Sequence, residues 1–585
     1  RNMKKKITKK SAMPAKKVSK LIKEEEDIPR TEEEKEENPI NPAQNTLIHP
    51  KISKTFRSNK VAIPSKLQRQ IIQNANSYEN IANIRQDKVK YDDDEPLPAK
   101  PAEEKKESSE ETKTPSESTA APQATNRLNI SMKFAMNYLQ LKSTDMQEVP
   151  CCLSLEGLET EEEESKHQAR SGIDVICVID VSGSMQGDKL ELAKKTLEFM
   201  VTQLGPYDRA SIVTFSDDAY RLCPLTCMND VGKEKLNQII KRINIIGGTE
   251  IIKGLRCGLR ILAERKQFNS VSSIVLLSDG IDNNQDTAME RLRYAIREYD
   301  PKVAAQYSIH TFGYGSDHDA NLMNTMAEVK NGGFYFVEKE DSIPEAFSNC
   351  LGELMSVVAD QIQVQLQTQV CDIPFALRKV YSETGDSSFR MPPVLSGTKK
   401  EAIFLLNFPP CSIRVPENHQ ILPIKASITY RVPHTGEEVK EQSFLIINVF
   451  NEDHLIDEIE LDEDVMVNFY RVKGAEILKE AGDFGDQGKM QEARDCLARG
   501  AQELRNSVVA GNELIQVLIA DIENSVNRFA DRQVWEHGGA AELKSKAKGH
   551  WSKRGPSNAI YQNKCQKAIS KKSKAYFVGE DMEEA

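Results

Sequence analysis

Asp174-Val-Ile-Cys-Val-Ile-Asp180 is an apolar stretch closed by two aspartates, and it runs directly into Val181-Ser-Gly-Ser-Met185. An apolar run of this length is typical of a parallel strand that helices cover on both faces. Lys189–Leu204 then repeats apolar residues at helical spacing. Strands and helices continue to alternate to about Val357. We therefore predict an α/β domain over residues 172–357, with a doubly wound, mostly parallel sheet.

Five polar residues fall where strands of this sheet should end. They are Asp180, Ser182 and Ser184 after the first strand, Thr249 after Gly-Gly, and Asp279 at the end of SSIVLLSD. Ligands of open α/β sheets bind at this carboxyl edge. Carboxylate and hydroxyl oxygens suit a hard cation such as Mg²⁺. The pattern predicts a divalent metal site, and the alternative is that these side chains only cap a helix and a turn.

Asp-x-Ser-x-Ser, Gly-Gly-Thr and Ser-Asp-Gly, in this order and spacing, resemble the metal-ion-dependent adhesion site (MIDAS) of von Willebrand factor A domains. The resemblance implies a Rossmann-like sheet of strand order 3-2-1-4-5-6 with one antiparallel edge strand. It implies Mg²⁺ or Mn²⁺ as the cofactor, with direct or nearly direct ligation by Ser182, Ser184 and Thr249. Asp180 and Asp279 would ligate directly or through water, and a carboxylate of a protein partner would complete the coordination.

Four further residues lie near the predicted edge. Asp317, His318 and Asp319 follow the next strand and are candidate rim residues of the metal site. The alternative is that they cap the helix that begins at Ala320. Glu250 departs from the family pattern, because many relatives have Asn after the threonine; it would screen the ion or weaken partner binding.

The hydrophobic pattern changes after about residue 358. From there apolar residues recur at every second position, as in IQVQLQTQV (362–370). This pattern predicts antiparallel strands of a small β-sandwich over residues 358–455. Residues 128–157 hold two strands without partners of their own. We therefore predict that the α/β domain is inserted into the sandwich. Residues 460–535 have helical periodicity and predict an α-helical region.

The two ends of the chain have biased composition. Residues 1–127 are rich in charge and proline and predict a disordered arm, in which Lys66–Ile84 is either a transient helix or a docking helix. Residues 536–585 form a basic tail, which is either a solvated helix or a binding site for an acidic surface such as tubulin or anionic lipid. Few aromatic residues accompany its charges, which argues against nucleic acid as a partner. The basic residues chosen for this site are Lys544, Lys546, Lys548, Lys553, Arg554, Lys571, Lys572 and Lys574.

Composition narrows the class of protein. The 585 residues carry a net charge of −11, which argues against a protein that coats nucleic acid. No apolar stretch is long enough for a membrane span. The 11 cysteines include no CxxC pair, so we expect reduced thiols and an intracellular, cytoplasmic protein.

The resemblance extends over about residues 128–560, through HTFGYGSDHD, ILPIKASITYRVPHTGEEV and His550-Trp551. This body is similar to the C-terminal part of plant-type RING–von Willebrand A ubiquitin ligases and to inter-α-trypsin-inhibitor heavy chains, but no RING pattern precedes residue 128. The leading hypothesis is a non-enzymatic, metal-dependent module that binds an acidic residue of a partner in an intracellular assembly. The alternative is a scaffold of a cytoskeletal or ciliary complex, and a subunit related to ubiquitin ligases ranks third.

Overall fold

The structure is a computed structural model, and it describes residues 94–98, 127–159, 171–279, 282–303, 306–315, 319–337, 343–382, 384–454, 459–554 and 559–578. The predicted disordered arm therefore lies outside the described residues, except for residues 94–98 and Arg127. The helix predicted at 66–84 and the rim residues Asp317 and His318 also lie outside them. No helix in the described ranges is long and apolar enough to cross a membrane.

Among the described residues, the strands that precede the α/β domain are β1 (Leu128–Phe134), β2 (Leu139–Gln140) and β3 (Gln147–Gly157). The strands of the α/β domain are β4 (Ile173–Asp180), β5 (Arg209–Phe215), β6 (Ala219–Arg221), β7 (Thr226–Cys227), β8 (Val271–Ser278), β9 (Ser308–Tyr314) and β10 (Phe334–Val337). Its helices are α1 (Asp188–Gln203), α2 (Asp230–Lys241), α3 (Ile251–Glu264), α4 (Gln285–Tyr299), α5 (Ala320–Val329) and α6 (Ile343–Met355).

The sheet of the α/β domain runs β6-β5-β4-β8-β9-β10. With the short β7 left aside, this is the predicted order 3-2-1-4-5-6. β6 is antiparallel to β5 at one edge, and β4 pairs in parallel with both β5 and β8. Every residue of β4 is buried, as its apolar run predicted. The Rossmann-like fold class is therefore confirmed.

Helices cover both faces of this sheet. α1, α2 and α6 enclose one core with β4 at its centre, and α3, α4 and α5 enclose the other. Successive side chains of β4 point to opposite faces, so Cys177 belongs to the first core and Val178 to the second. This double cover explains why the sequence of β4 is apolar without alternation.

Nine strands follow the α/β domain in the described part of the chain. They are β11 (Val357–Thr368), β12 (Ala376–Val380), β13 (Ser388–Arg390), β14 (Val394–Leu395), β15 (Lys399–Phe408), β16 (His419–Ile421), β17 (Ile424–Arg431), β18 (Glu438–Phe444) and β19 (Ile447–Phe450). One sheet has the order β1-β3-β15-β12 and another the order β13-β11-β17-β18. Strands from before and after the α/β domain thus share one sheet and one core, which confirms the predicted insertion.

Proline divides one apolar stretch of the sandwich into two strands. The stretch ILPIKASITYRV forms β16 and β17 in different sheets, with Pro423 between them. Proline has no N–H to donate to a ladder, so a continuous strand is disfavoured there. Within β17 the expected alternation holds, since Ile424, Ile428 and Tyr430 are buried and their neighbours are partly exposed.

The insertion predicts that the sandwich needs the strands before it. A fragment of residues 172–578 lacks β1 and β3, and therefore loses the buried side chains of Phe134, Val149, Leu153 and Leu155. Each buried side chain of this kind contributes about 1.5–3 kcal/mol, which together approaches the whole stability of a typical domain. We expect this fragment to aggregate or to show no cooperative unfolding of the sandwich, whereas residues 127–578 unfold cooperatively in differential scanning calorimetry. Equal transitions for both fragments would contradict the insertion.

The helical region is α7 (Glu463–Asp486), α8 (Met490–Arg505), α9 (Glu513–Ser525), α10 (Ala540–Ser552) and α11 (Lys564–Val578). Val465 and Val472 of α7 join the core of the sandwich. Residues of α10 and α11 join the two cores of the α/β domain, through Ala541 and Ile569. The last two helices are therefore packed elements of the fold.

This packing contradicts the prediction that the basic residues of 536–585 form a free binding surface. Five of them have internal carboxylate partners, at distances of 2.5–3.9 Å: Lys544–Asp486, Lys546–Glu542, Lys548–Glu328, Lys553–Glu401 and Arg554–Glu353. Most of these partners lie far away in the sequence, so the run of charges looked unbalanced. Only Lys571, Lys572 and Lys574 of the predicted set are exposed.

Candidate metal-ion site

The first part of the site is the turn that follows β4. Asp180 ends the strand, and Ser182 precedes a short 3₁₀ turn at Gly183–Met185. The Ser182 backbone N–H donates to Asp180 Oδ1 at 2.8 Å. This contact within the turn holds the buried carboxylate under the two serines.

The second part is the loop that carries Thr249. Ser182 pairs with Gly247 in an isolated parallel bridge, and the Gly183 N–H donates to the Gly247 carbonyl at 2.8 Å. These bonds fix the Gly-Gly-Thr loop beside the serine turn, and Thr249 is buried there. An added Cβ at Gly248 would lie 2.3 Å from the Asp217 carboxylate, so a larger residue would disturb this approach.

The third part is the end of β8, the neighbour of β4. The register places Leu277 opposite Ile179, so Asp279 comes out beside Asp180 at the same edge. Ser184 Oγ donates to Asp279 Oδ1 at 2.8 Å, and the Ser182 and Ser184 hydroxyls are 3.0 Å apart. The structure thus brings all five predicted metal ligands to one edge of the sheet.

The Asp180 carboxylate is held by hydrogen bonds at both of its oxygens. Asp180 is fully buried and accepts a hydrogen bond from Ser278 Oγ at 2.5 Å in addition to the Ser182 N–H. Burial raises the pKa of Asp180 to about 6, and the nearby charge of Asp279 adds to the rise while the hydrogen bonds oppose it. Because both oxygens of Asp180 already accept hydrogen bonds, this residue suits a role through water.

The donor set fits a hard divalent cation. Adjacent ligands of an octahedral Mg²⁺ ion lie about 2.9 Å apart, because each is 2.0–2.1 Å from the metal. The Ser182–Ser184 and Ser184–Asp279 oxygen distances, 3.0 and 2.8 Å, match this spacing. The described residues contain no group of three His, Cys, Asp or Glu side chains that could hold a metal. The hydroxyls are therefore the distinctive donors.

Helix capping does not account for the serines. The N-cap of α1 is Gly187, and Ser182 makes no side-chain cap at the 3₁₀ turn. Asp319 behaves differently, because its Oδ1 accepts from the Leu322 N–H at 3.0 Å and caps α5. The capping alternative thus holds for Asp319 and removes support for its role at the rim.

Glu250 turns away from the predicted ligands. Its two carboxylate oxygens accept from Asn284 and Arg291, and Arg291 also contacts Asp282 at 3.0 Å. The guanidinium of Arg291 therefore offsets the charge of Glu250. This pairing leaves Thr249 as the only predicted ligand in that loop.

Sequence reasoning missed two residues that shape the site. Ser278 supports Asp180, and it could have been noticed because it directly precedes Asp279. Lys189, in the first turn of α1, places its ammonium against Asp279 Oδ2. The sequence gives little indication of the Lys189 contact, because a lysine at the start of a helix is normally exposed to solvent.

Lys189 predicts a measurable competition with the metal. Its side chain is 40% exposed and its ammonium supplies positive charge that a bound cation would otherwise supply. Removal of an ion pair of this kind is worth about 1 kcal/mol, so we expect Lys189→Gln to bind Mg²⁺ about fivefold more tightly in calorimetry. Lys195→Gln, an exposed lysine of the same helix, is the control and should match the wild type. Unchanged or weaker binding by Lys189→Gln would show that the ammonium does not compete.

Residues 174–349 match the von Willebrand factor type A domain family. E3 ubiquitin-protein ligase WAV3 of Arabidopsis thaliana is 26% identical over 288 residues, which are 47% of this chain and 36% of that protein. The human inter-alpha-trypsin inhibitor heavy chain H4 is 27% identical over 238 residues, which are 38% of this chain and 25% of that protein. A von Willebrand factor type A protein from Catenulispora acidiphila aligns in structure over 69% of this chain and 90% of its own, with 16% identity and a TM-score of 0.49.

The chain spans well under half the length of these two curated relatives. The family match covers the α/β domain, and its limits lie inside the first and last elements of that domain. Domains of this family are generally protein-interaction modules without enzymatic activity, and they commonly bind a divalent metal at the MIDAS. The order of the strands in the sheet, the convergence of the three predicted motifs at one edge and the family match all agree. Residues 174–349 are a von Willebrand factor type A domain.

Proposed function

We propose that this protein binds a partner through a divalent cation, Mg²⁺ or Mn²⁺, held at the edge of its von Willebrand factor A domain. Ser182, Ser184 and Thr249 would hold the ion, with Asp180 and Asp279 acting directly or through water. The observation that carries the proposal is the continuous oxygen chain from Ser182 through Ser184 to Asp279. When bound, the ion supplies a Lewis-acidic position that an external oxygen ligand can occupy.

The charges of the site favour an acidic partner. Among the predicted ligands, Asp180 and Asp279 are carboxylates, and the ammonium of Lys189 lies against Asp279. A divalent cation would therefore leave these three groups and the ion with a net positive charge, which attracts a carboxylate. Ser184 is exposed while Asp180 and Asp279 are buried, so the site opens on the hydroxyl side.

A binding role agrees better with these residues than catalysis does. The hydroxyls of Ser182 and Ser184 bond to each other and to Asp279. No hydrogen bond joins either serine to a histidine within the described part of the chain, so a base that could activate a serine is lacking there. We therefore propose a non-enzymatic module.

The test is capture of partners from a cell extract by the full-length protein, with quantitative mass spectrometry. We expect the proteins lost on addition of EDTA to be those lost with Asp180→Ala and with Ser184→Ala. Asp286→Ala, an exposed residue of α4, is the matched control and should retain them. Retention of every partner in both EDTA and Asp180→Ala would overturn the proposal.

A second candidate, a role in ubiquitin transfer, rests on the similarity to WAV3 over 47% of this chain. We infer that the chain would then supply the substrate-binding part rather than the catalytic part. Among the described residues, no cluster of Cys and His could hold the zinc of a RING. Ubiquitination assays with purified E1 and E2 enzymes distinguish the candidates, since an interaction module forms no ubiquitin chains by itself.

The localisation and the scaffold alternative stay proposals. Attachment to tubulin or lipid through residues 544–574 has lost most of its support, because five of the eight basic residues are paired internally. A cytoplasmic location agrees with eleven cysteines that are all free thiols.

A further inference from the structure

Five residues of the N-terminal arm, Asp94-Glu-Pro-Leu-Pro98, lie against the von Willebrand factor A domain. They contact the start of β5 and the segment from β6 to β7, which lie at the opposite end of the sheet from the metal site. Residues 99–126 separate them from the next described residue. Direct connection to the body therefore does not force these five residues into place.

Asp94 provides the first anchor. Its carboxylate accepts from the guanidinium of Arg221 and from the Leu225 N–H, the latter at 2.9 Å. The side chains of Asp94 and Arg221 are 9% and 6% exposed. Burial is the largest influence on the pKa of Asp94 and raises it, while the bond from Leu225 and the charge of Arg221 oppose the rise. A buried charge is tolerated because it is paired.

Glu95 provides the second anchor, mainly through backbone groups. Its N–H donates to the Leu225 carbonyl at 2.9 Å, and its own carbonyl accepts from Arg209 Nη1 at 2.8 Å. Its carboxylate accepts from the Cys227 N–H at 2.8 Å and lies 3.7 Å from Lys235 Nζ. Both its side chain and its main chain are thus recognised.

The proline-containing part makes fewer but specific contacts. The Leu97 N–H donates to Gln267 Oε1 at 2.7 Å, and the Cys227 thiol donates to the Pro96 carbonyl at 3.3 Å. Pro96 and Pro98 have no N–H that would need a partner. From Glu95 to Pro98, each backbone N–H that exists therefore has a hydrogen-bond acceptor, as in other recognition sites for proline-containing peptides.

Contacts within the domain hold the guanidinium that receives the peptide. Asp174, which is fully buried, holds the Arg209 guanidinium through Nε and Nη2 at 3.0 and 2.8 Å. This pairing directs Nη1 towards the Glu95 carbonyl. Arg265 and Asn269 hold the same carboxylate from the other side. A guanidinium fixed in this way loses little entropy on binding.

We propose that Arg209, Arg221, Leu225 and Cys227 form a second binding site of the domain, for acidic peptides of Asp-Glu-Pro type, and that residues 94–98 occupy it in cis. An occupant on the same chain acts at an effective concentration in the millimolar range. A peptide of this class from another protein must therefore displace it. The site is independent of the metal, because no ligand of one belongs to the other.

The test uses the full chain and a fluorescein-labelled peptide of residues 90–100, KYDDDEPLPAK, in fluorescence anisotropy. Asp94→Asn with Glu95→Gln should release the segment and bind the labelled peptide at least tenfold more tightly than the wild type does. The peptide with the same two changes should not bind. Adding Arg221→Met to the released chain should abolish binding, and EDTA should have no effect. Equal binding by the wild type and the released chain, or binding that survives Arg221→Met, would overturn the proposal.

Hydrogen exchange provides a second measurement that does not depend on a variant's folding. In the wild type, the amides of Glu95 and Leu97 should be protected, since both donate hydrogen bonds. Protection should not depend on protein concentration, because the segment occupies the site on its own chain. Rapid exchange of both amides in the wild type would contradict occupation, and protection that rises with concentration would contradict a cis occupant.

Discussion

Replacing Asp180 by alanine is expected to abolish measurable binding of Mg²⁺ or Mn²⁺, with a loss of at least a hundredfold. Asp180 is one of two carboxylates at the site, and its oxygens organise the turn of Ser182 and the hydroxyl of Ser278. The alanine variant loses a negative charge and the hydrogen bonds that order Ser182 and Ser278. Mg²⁺ is usually bound through one or two carboxylates, so the loss of one should weaken binding strongly. Isothermal titration calorimetry on the full chain measures the effect.

Two further variants make this result specific. Ser184→Ala should weaken binding strongly, because its hydroxyl lies between Ser182 and Asp279. Asp286→Ala removes an exposed carboxylate of α4 and should bind like the wild type. If Asp180→Ala titrates as the wild type does, the metal assignment is wrong. Thermal unfolding of each variant verifies that the domain is still folded.

Replacing Arg554 by alanine is expected to lower the free energy of unfolding by about 3–5 kcal/mol, the usual effect of leaving one member of a buried ion pair alone. Its guanidinium lies 2.5 Å from Glu353 Oε1, and the two side chains are 8% and 4% exposed. Arg554 also donates to the Asn331 carbonyl at 2.6 Å. The contact joins the C-terminal segment to α6 of the von Willebrand factor A domain. Urea denaturation followed by tryptophan fluorescence measures the change.

Lys572→Ala is the control, because Lys572 is an exposed member of the same basic stretch. Exposed substitutions of this kind change stability by less than about 0.5 kcal/mol. The double variant Glu353→Gln, Arg554→Met should be more stable than Arg554→Ala, since no uncompensated charge stays buried. Similar losses for Arg554→Ala and Lys572→Ala would mean that the ion pair contributes nothing.

The convergence of the five candidate ligands could be predicted because each part is local in sequence. Asp180, Thr249 and Asp279 stand directly at the ends of apolar strands or beside Gly-Gly, and parallel strands bring such ends together. The competing ammonium of Lys189 could not be predicted in the same way. Its contact with Asp279 depends on the direction in which α1 starts after the turn that follows β4. The spacing of apolar residues in the sequence does not determine that direction.

The basic stretch shows the opposite case. The stretch has few acidic residues nearby in the sequence, so its positive charge looked unbalanced. Its partners Glu353 and Glu401 come from elements that are distant in the sequence. The acidic segment at Asp94 and Glu95 was likewise hidden, because its composition matches the low-complexity arm around it. Its recognition depends on Arg209 and the main chain of β7, which become neighbours only in the folded domain.

The position of the last helices has a consequence for synthesis on the ribosome. The von Willebrand factor A domain is complete near Val357, but Arg554 and α11 emerge roughly 10–40 s later at 5–20 residues per second. During that interval Glu353 has no guanidinium, and the apolar surface that later receives Ile569 is uncovered. A nascent chain in this state exposes apolar surface of the kind that favours aggregation. Premature termination before residue 554 should therefore produce an aggregation-prone polypeptide even though the metal site is fully encoded.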